Sequence, residues 1–192
     1  MKTGCDKMMY DKNERKISPA KESGCGAEVA LAPIRKGDEE RFRLLARQEH
    51  VLRFLPDMEM TPAYAARLAA RSRDEALFSP CDQMRLFGIY AGDTLAGALT
   101  LGPVYEAGYR VTVGFFLGSD FLGQGIAEKA VRKALAIARE AGAAEAAALT
   151  ECGNEPARKL LEKVGFREEK RLGIRRSGER EKRETIVAVY RL

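Results

Sequence analysis

The chain has 192 residues, of which 45% are hydrophobic and 32% are charged. This composition can build a core and is typical of one soluble domain with a short extension. The formal net charge is +5, a mild excess that suits an anionic ligand such as a nucleotide. A nucleic-acid-binding protein usually carries a denser basic stripe, so we expect no nucleic-acid partner.

Cysteine and histidine usage argues against a metal site. The four cysteines lie far apart without a C-x-x-C pair, and the chain has one histidine. Such a set does not supply the ligands of a zinc site. We therefore expect reduced thiols and no metal, with His50 as a surface or satisfied core histidine.

The hydropathy pattern argues against a membrane protein. No stretch approaches the roughly 20 apolar residues that a membrane-spanning helix needs. The basic residues near the N-terminus are followed by no apolar block, so we expect no secretory signal. These features predict a cytoplasmic protein without a membrane partner.

The N-terminal segment differs from the rest of the chain. Residues 1–26 are polar, charged and without periodicity, which is typical of a flexible tail. The predicted domain covers residues 27–192. Its first strand is indicated by Val29, Leu31 and Ile34 around Pro33.

Helices are predicted after this strand. Asp38 stands as a helix N-cap, and Phe42, Leu44 and Leu45 begin an apolar face behind it. A second helix is predicted at about residues 63–72, between proline-rich stretches.

A hairpin is predicted next. Two apolar runs, 85–90 and 94–101, flank Ala91-Gly92-Asp93, and this spacing is typical of a β-hairpin. Residues 110–117, rich in Val and Phe, predict another strand.

The spacing of the apolar residues then changes to that of a helix. Apolar residues recur at helical spacing from Ile126 to Ala141, and Gly142 follows where a helix C-cap is expected. A short strand is predicted at 146–149.

The C-terminal part contains one more helix and one more strand. The helix begins at Glu155 or Pro156 and ends at Val164 before Gly165. The last strand is predicted at 185–192. The order of elements predicts an α+β domain around a mixed sheet.

A glycine-rich junction separates the strand at 110–117 from the helix that begins at Ile126. Gly123 and Gly125 let the backbone turn with positive φ and approach a ligand closely. Free N–H groups of the first helical turn and the helix dipole together form an anion site. A Rossmann turn is disfavoured because Glu128 stands where a third glycine is needed, and no Gly-Lys-Ser/Thr follows for a Walker loop. A tight turn without a ligand is the alternative.

At this junction the sequence resembles the GNAT (GCN5-related) N-acetyltransferases, whose central motif is Gln/Arg-x-x-Gly-x-Gly/Ala. Gly125 and Ala127 match it, while Leu122 replaces the leading Gln/Arg. Residues 154–166 resemble the family's Asn-x-x-Ser…Glu-Lys-x-Gly-Phe segment at the same distance downstream. Two motifs in the correct order are more specific than one, and the resemblance covers all but the predicted tail.

The resemblance implies a GNAT fold, an α+β domain with a mixed, largely antiparallel central sheet of six to seven strands and flanking helices. It also implies acetyl-CoA as co-substrate. The diphosphate would lie on the N–H groups of Gln124 to Ala127, and the pantetheine arm along the preceding strand near Phe116 and Gly118. The implied cofactor-binding residues are Phe116, Leu117, Gly118, Leu122, Gly123, Gln124, Gly125, Ile126, Ala127, Asn154 and Arg158.

Residues 113–117 look like the corresponding strand of the branch resembling ribosomal-protein-alanine N-acetyltransferases. That branch acetylates protein N-termini, polyamines or other small amines. The implied reaction moves an acetyl group from acetyl-CoA to a primary amine by direct attack in a ternary complex. We expect a small-molecule or peptide acceptor and a monomer or homodimer.

The usual catalytic positions of the family are not filled here. Its serine and tyrosine correspond to Ala157 and Leu161. This departure keeps open a second hypothesis, a catalytically impaired GNAT domain that binds CoA as a sensor or interaction module.

Two carboxylates are the candidate catalytic bases, Glu169 and Glu151. Glu169 fits equally well as an exposed carboxylate paired with a neighbouring basic side chain. The amide of Asn154 is suited either to bind the pantetheine or to cap the following helix. Arg158 is expected to bind the 3′-phosphate of CoA.

Overall fold

A computed structural model describes the chain in four segments: residues 28–74, 83–104, 109–174 and 183–191. The predicted tail at 1–26 lies outside the described residues. The element order is β1 (Val29–Ala32), α1 (Glu39–Ala46), α2 (Glu49–Leu52), α3 (Pro62–Ser72), β2 (Arg85–Ala91), β3 (Thr94–Val104), β4 (Tyr109–Leu117), α4 (Ile126–Glu140), β5 (Glu145–Glu151), α5 (Glu155–Val164), β6 (Arg167–Ile174) and β7 (Arg183–Arg191).

The strands form one sheet in the order β1-β2-β3-β4-β5-β7-β6. Every neighbouring pair is antiparallel except β4 and β5, which run parallel. This arrangement confirms the predicted mixed, largely antiparallel sheet of six to seven strands. The predicted hairpin is also confirmed, since Ala91 pairs with Thr94 and Gly92 takes the positive φ of 58° that suits a tight turn.

Strand β6 is not predicted by the sequence pattern. Its first five residues, 167–171, are all charged and carry no alternation of polar and apolar side chains. The structure makes it the edge strand beyond β7, a position where charged side chains keep the edge from pairing with other chains. A bulge between Glu168 and Lys170 interrupts its register with β7.

Helix α4 joins the two parallel strands and covers one face of the sheet. Its apolar residues at helical spacing are buried, as the sequence predicted: Ile126, Ala130, Val131, Ala134, Leu135 and Ala138. The helix ends as expected for a glycine cap. Gly142, with φ of 82°, donates to the Arg139 carbonyl, and Ala143 donates to the Ala138 carbonyl, which is the Schellman pattern.

The opposite face of the sheet is covered by α1 to α3. Phe42, Leu45 and Val51 pack there against the buried ring of Tyr90. The Tyr90 hydroxyl donates to the Asp38 carboxylate at 2.9 Å and accepts from the Arg35 N–H at 2.9 Å. Asp38 stands at the predicted start of α1, but its side chain makes no capping hydrogen bond within the helix. The carboxylate instead fixes α1 to the sheet.

Replacing Tyr90 by Phe is expected to lower the free energy of unfolding by about 1–2 kcal/mol at neutral pH, because two buried hydrogen bonds are lost. Burial raises the pKa of Tyr90 to about 12, from 10.0. The folded state therefore keeps a proton that the unfolded state releases, so stability is full below about pH 10 and falls between about pH 10 and 12. Urea unfolding of both proteins across this range measures the effect. If Tyr90→Phe lost as much stability as the wild-type protein between about pH 10 and 12, Tyr90 would not be the source of that loss.

Candidate active site

The sheet opens between its two parallel strands. In the described residues β4 and β5 share one bridge, Thr112 with Ala147. Beyond it β4 remains paired with β3 as far as Leu117, and β5 remains paired with β7 as far as Glu151. Residues 113–117 of β4 and 148–151 of β5 therefore border an interstrand gap.

The hydrogen bonds of β4 decide which backbone groups face this interstrand gap. The N–H of Gly118 donates to the Ala96 carbonyl at 2.8 Å, toward β3. The backbone N–H and C=O groups alternate in direction along an antiparallel strand. Those of Phe116 therefore also point toward β3, while those of Phe115 and Leu117 point into the gap. The two positions predicted to bind the pantetheine arm, Phe116 and Gly118, thus have their backbone groups directed toward β3. Leu117, another of the predicted cofactor-binding residues, presents its backbone to the gap instead.

The loop after β4 has the geometry of an anion cradle. Gly123 and Gly125 have φ angles of 73° and 72°, which glycine adopts without strain. Gln124 holds the loop by donating from its side chain to the Asp120 carbonyl at 2.6 Å. Gly125 is the N-cap of α4 and no side chain caps the helix, so the N–H groups of its first turn lack intrahelical acceptors and are available to an anion.

The remaining loop residues contribute backbone more than side chain. Ile126 is buried in the core and Ala127 packs against it, so their N–H groups are what they can offer a ligand. Leu122, which replaces the family's Gln/Arg, is 51% exposed. The space beside Gly123 and Gly125 is open, because a Cβ built on either would meet nothing within 4 Å.

Asn154 lies in the turn between β5 and α5. Its side-chain oxygen accepts from the Ala157 N–H at 3.3 Å, and Pro156 occupies the first turn, so it fills the capping role that was one of its two predicted alternatives. Its own N–H donates to the Glu151 carbonyl at 2.9 Å. Asn154 and Glu151 are thus held together at the end of β5.

The position of the family's tyrosine is part of the core in this chain. Leu161 is 2% exposed, and its carbonyl accepts from Phe166 in the glycine cap that ends α5. A buried aliphatic side chain has no proton to donate, so a general acid must come from another element.

The structure does not bring the two candidate carboxylates together. Glu151 is half-buried at the end of β5, whereas Glu169 is exposed at the bulge of β6. Since β7 lies between these strands, they are separated by two strand spacings, about 10 Å. Both assignments remain predictions.

Arg158 has a protein partner in this structure. Its guanidinium lies 3.5 Å from the carboxylate of Glu168. Glu168 also accepts from Arg171 at 2.9 Å, and the hydrogen bond from Arg171, with the nearby charge of Arg158, lowers the pKa of Glu168. Binding of a CoA phosphate by Arg158 therefore stays a prediction.

Two side chains at the start of α2, those of Gln48 and His50, are not signalled by the sequence. His50 Nε2 lies 2.9 Å from the carbonyl oxygen of Leu117, and the side-chain oxygen of Gln48 accepts from the Ser119 N–H at 2.8 Å. Both contacts join residues about 70 positions apart, and no spacing motif in the sequence signals them. His50 therefore lies beside the interstrand gap.

The close packing of α1 explains why α2 reaches this point. A Cβ on Gly118 would meet the end of the Leu45 side chain, so α1 lies close to the end of β4 and a larger residue at 118 would require Leu45 to shift. Arg41, also on α1, donates to the Leu95 carbonyl at 2.7 Å. Together these contacts hold the start of α2 over the last residue of β4.

Comparison with known proteins gives a family match. The model of the acetyltransferase (GNAT) domain matches residues 28–167. Among curated proteins, no significant match was found. Within the four described segments, no cluster of three or more potential metal ligands occurs, and no helix there is long and apolar enough to span a membrane.

Solved structures of acetyltransferases have the same fold. The microcin C7 self-immunity acetyltransferase MccE, in complex with acetyl-CoA and AMP, is 16% identical with a TM-score of 0.71, covering 88% of this chain and 94% of its own. RimJ of Mycobacterium smegmatis, in complex with CoA-disulfide, is 26% identical with a TM-score of 0.67, covering 85% and 81%. The Salmonella typhimurium acetyltransferase that modifies the N-terminal serine of ribosomal protein L7/L12 is 12% identical with a TM-score of 0.71, covering 88% and 97%.

Replacing Gly125 by Ala is expected to weaken CoA binding by about tenfold, roughly 1.4 kcal/mol, because a methyl group enters the cradle at a positive φ. Gly142→Ala is the matched control. It stands just beyond the other end of α4, with φ of 82° and equally open space, so both variants should lose about 1–2 kcal/mol of stability to backbone strain. Calorimetric titration with CoA compares them. Equal affinities would show that the loop does not bind the cofactor.

Proposed function

We propose that this chain, which belongs to the acetyltransferase (GNAT) domain family, transfers an acetyl group from acetyl-CoA to a primary amine by direct attack in a ternary complex. The observation that carries this proposal is the interstrand gap between β4 and β5, which opens beside the glycine loop at the N-terminus of α4. The edge of β4 can pair with the extended pantetheine arm of the cofactor, and the N–H groups of the glycine loop can bind the phosphates of the cofactor.

Binding of the cofactor follows from the chemistry of each part. The backbone of Phe115 and the N–H of Leu117 pair with the amides of the pantetheine arm, as an added strand pairs with a sheet edge. The diphosphate accepts from the N–H groups between Gln124 and Ala127, where the helix dipole favours negative charge. No side-chain cation is needed at the loop, which explains why Leu122 is tolerated in place of Gln or Arg.

Acetyl transfer needs a neutral amine, a polarised thioester carbonyl and a protonated leaving thiol. A backbone N–H of β4 aimed into the gap polarises the carbonyl, and one such donor contributes about 3 kcal/mol to transition-state stabilisation. The carboxylate of Glu151, on a strand that borders the gap, is the stronger of the two predicted groups for meeting the incoming amine. Glu169 remains the second candidate, on β6.

The acceptor enters from the side covered by α1 and α2, opposite the glycine loop. A peptide N-terminus and a small amine both fit the proposal. The Salmonella enzyme of the same fold modifies an N-terminal serine, which supports the first choice. We further propose that the enzyme works in the cytoplasm as a monomer or homodimer, without metal and without a nucleic-acid or membrane partner.

Release of free thiol from acetyl-CoA tests the proposed function. With a panel containing peptides with N-terminal serine or alanine, spermidine and simple alkylamines, we expect saturable thiol release that depends on one class of amine, with the acetylated product identified by mass spectrometry. CoA binding without amine-dependent release would contradict the proposal and favour the impaired, CoA-binding domain.

The variants Glu151→Gln and Glu169→Gln separate the two carboxylates, since each change removes the charge but keeps the shape. We expect Glu151→Gln to raise KM for the amine and to lower kcat/KM by about 10²-fold, with the larger effect of the two. Steady-state kinetics at varied amine concentration measures both. A loss confined to Glu169→Gln would contradict the placement of the amine beside β5.

A further inference from the structure

The interstrand gap has one histidine at its border. His50 is half-buried on α2, and its Nε2 lies 2.9 Å from the carbonyl oxygen of Leu117. That carbonyl belongs to the edge of β4 that faces the gap. The imidazole therefore lies where the pantetheine arm and the amine would approach each other.

The contact determines which nitrogen of the ring carries the proton. A carbonyl oxygen accepts hydrogen bonds and cannot donate them, so Nε2 of the neutral ring must be the protonated nitrogen. Nδ1 then carries the lone pair. Within the described part of the chain, Nδ1 has no hydrogen-bond partner. The ring is thus oriented by one nitrogen and able to accept a proton at the other.

The surrounding contacts hold the ring in place. Gln48 anchors the start of α2 through the Ser119 N–H at 2.8 Å, on the residue that follows Gly118. Leu45 packs against Gly118, so that a Cβ at 118 would meet the end of the Leu45 side chain. Three successive positions, 117 to 119, are therefore contacted by α1 and α2, which is the rigid support that a general base requires.

From this geometry we propose that His50 is the general base of acetyl transfer, a role that rests on the proposed function. The neutral amine attacks the thioester carbon with its lone pair, the C–N bond forms as the carbonyl π pair moves onto oxygen, and Nδ1 takes one proton from the resulting ammonium centre. The C=O bond then re-forms as the C–S bond breaks, with the electron pair of that bond leaving on sulfur. The proton passes from the imidazolium to the thiolate, directly or through water, so that amide and free thiol are formed and His50 is neutral again.

Charged side chains lie on the elements around His50. Glu49 and Arg53 lie on its own helix, and Arg47, which pairs with Glu59 at 4.0 Å, precedes the helix. Asp120 follows the end of β4, and Glu151 lies across the interstrand gap on β5. The proposal assigns proton transfer to His50 and attraction of the amine to Glu151.

The variant His50→Gln tests the proposal, because its amide can still donate to the Leu117 carbonyl but cannot act as a base at neutral pH. We expect kcat to fall by about 10²-fold with KM for acetyl-CoA within about twofold, and the pH profile of kcat at saturating amine to differ from the wild-type profile. His50→Ala should lose the same activity, and added imidazole should restore part of it. Glu49→Gln, an exposed neighbour on the same helix, is the control and should keep the wild-type rate.

Two results would overturn the role of His50 alone. One is a His50→Gln variant that keeps the wild-type kcat and pH profile, while the wild-type protein itself transfers acetyl groups. The other is measured on the wild-type protein, whatever the variants do: nitrogen-15 NMR of the imidazole at alkaline pH must show Nε2 protonated, and a ring protonated at Nδ1 would refute the base. Absence of amine-dependent transfer in the wild-type protein would instead refute the proposed function, and the role of His50 with it.

Discussion

The parting of β4 from β5 is the constraint on which the rest of the site depends. Two parallel strands that are neighbours in a sheet normally continue their ladder, because unpaired backbone groups are costly when buried. Here one bridge, Thr112 with Ala147, holds them at one end. The backbone groups left open beyond it must find other partners. Leu117 has one in His50, and an extended ligand can supply the others.

The same parting determines where the anion cradle lies. A parallel pair needs a crossover, and in this chain the crossover is α4. Its N-terminus follows the open end of β4 after the loop at 118–125, so the helix dipole points toward the end of the gap. The glycines at 123 and 125 complete the connection, since both have positive φ. The backbone groups that we propose for cofactor binding therefore have positions that follow from the topology.

The groups proposed for acid–base chemistry are side chains, unlike the backbone groups of the cradle. The family's serine and tyrosine positions, Ala157 and Leu161, belong to a capped and buried part of α5. The groups that we propose for this side lie instead on two elements that border the gap, His50 on α2 for proton transfer and Glu151 on β5 for attraction of the amine.

Much of the architecture was determined by the sequence alone, because it depends on local chemistry. The hairpin at Gly92, the helix caps at Gly142 and Gly165 and the cradle at Gly125 each need a positive φ that glycine provides. The buried face of α4 follows from the helical spacing of its apolar residues. The charged strand β6 escaped prediction because its stability comes from pairing with β7 rather than from its own pattern. The tertiary structure alone decided that Gly118 is engaged with β3, that Glu169 lies two strands from β5 and that His50 reaches Leu117, because each of these facts is a contact between segments that no local pattern records.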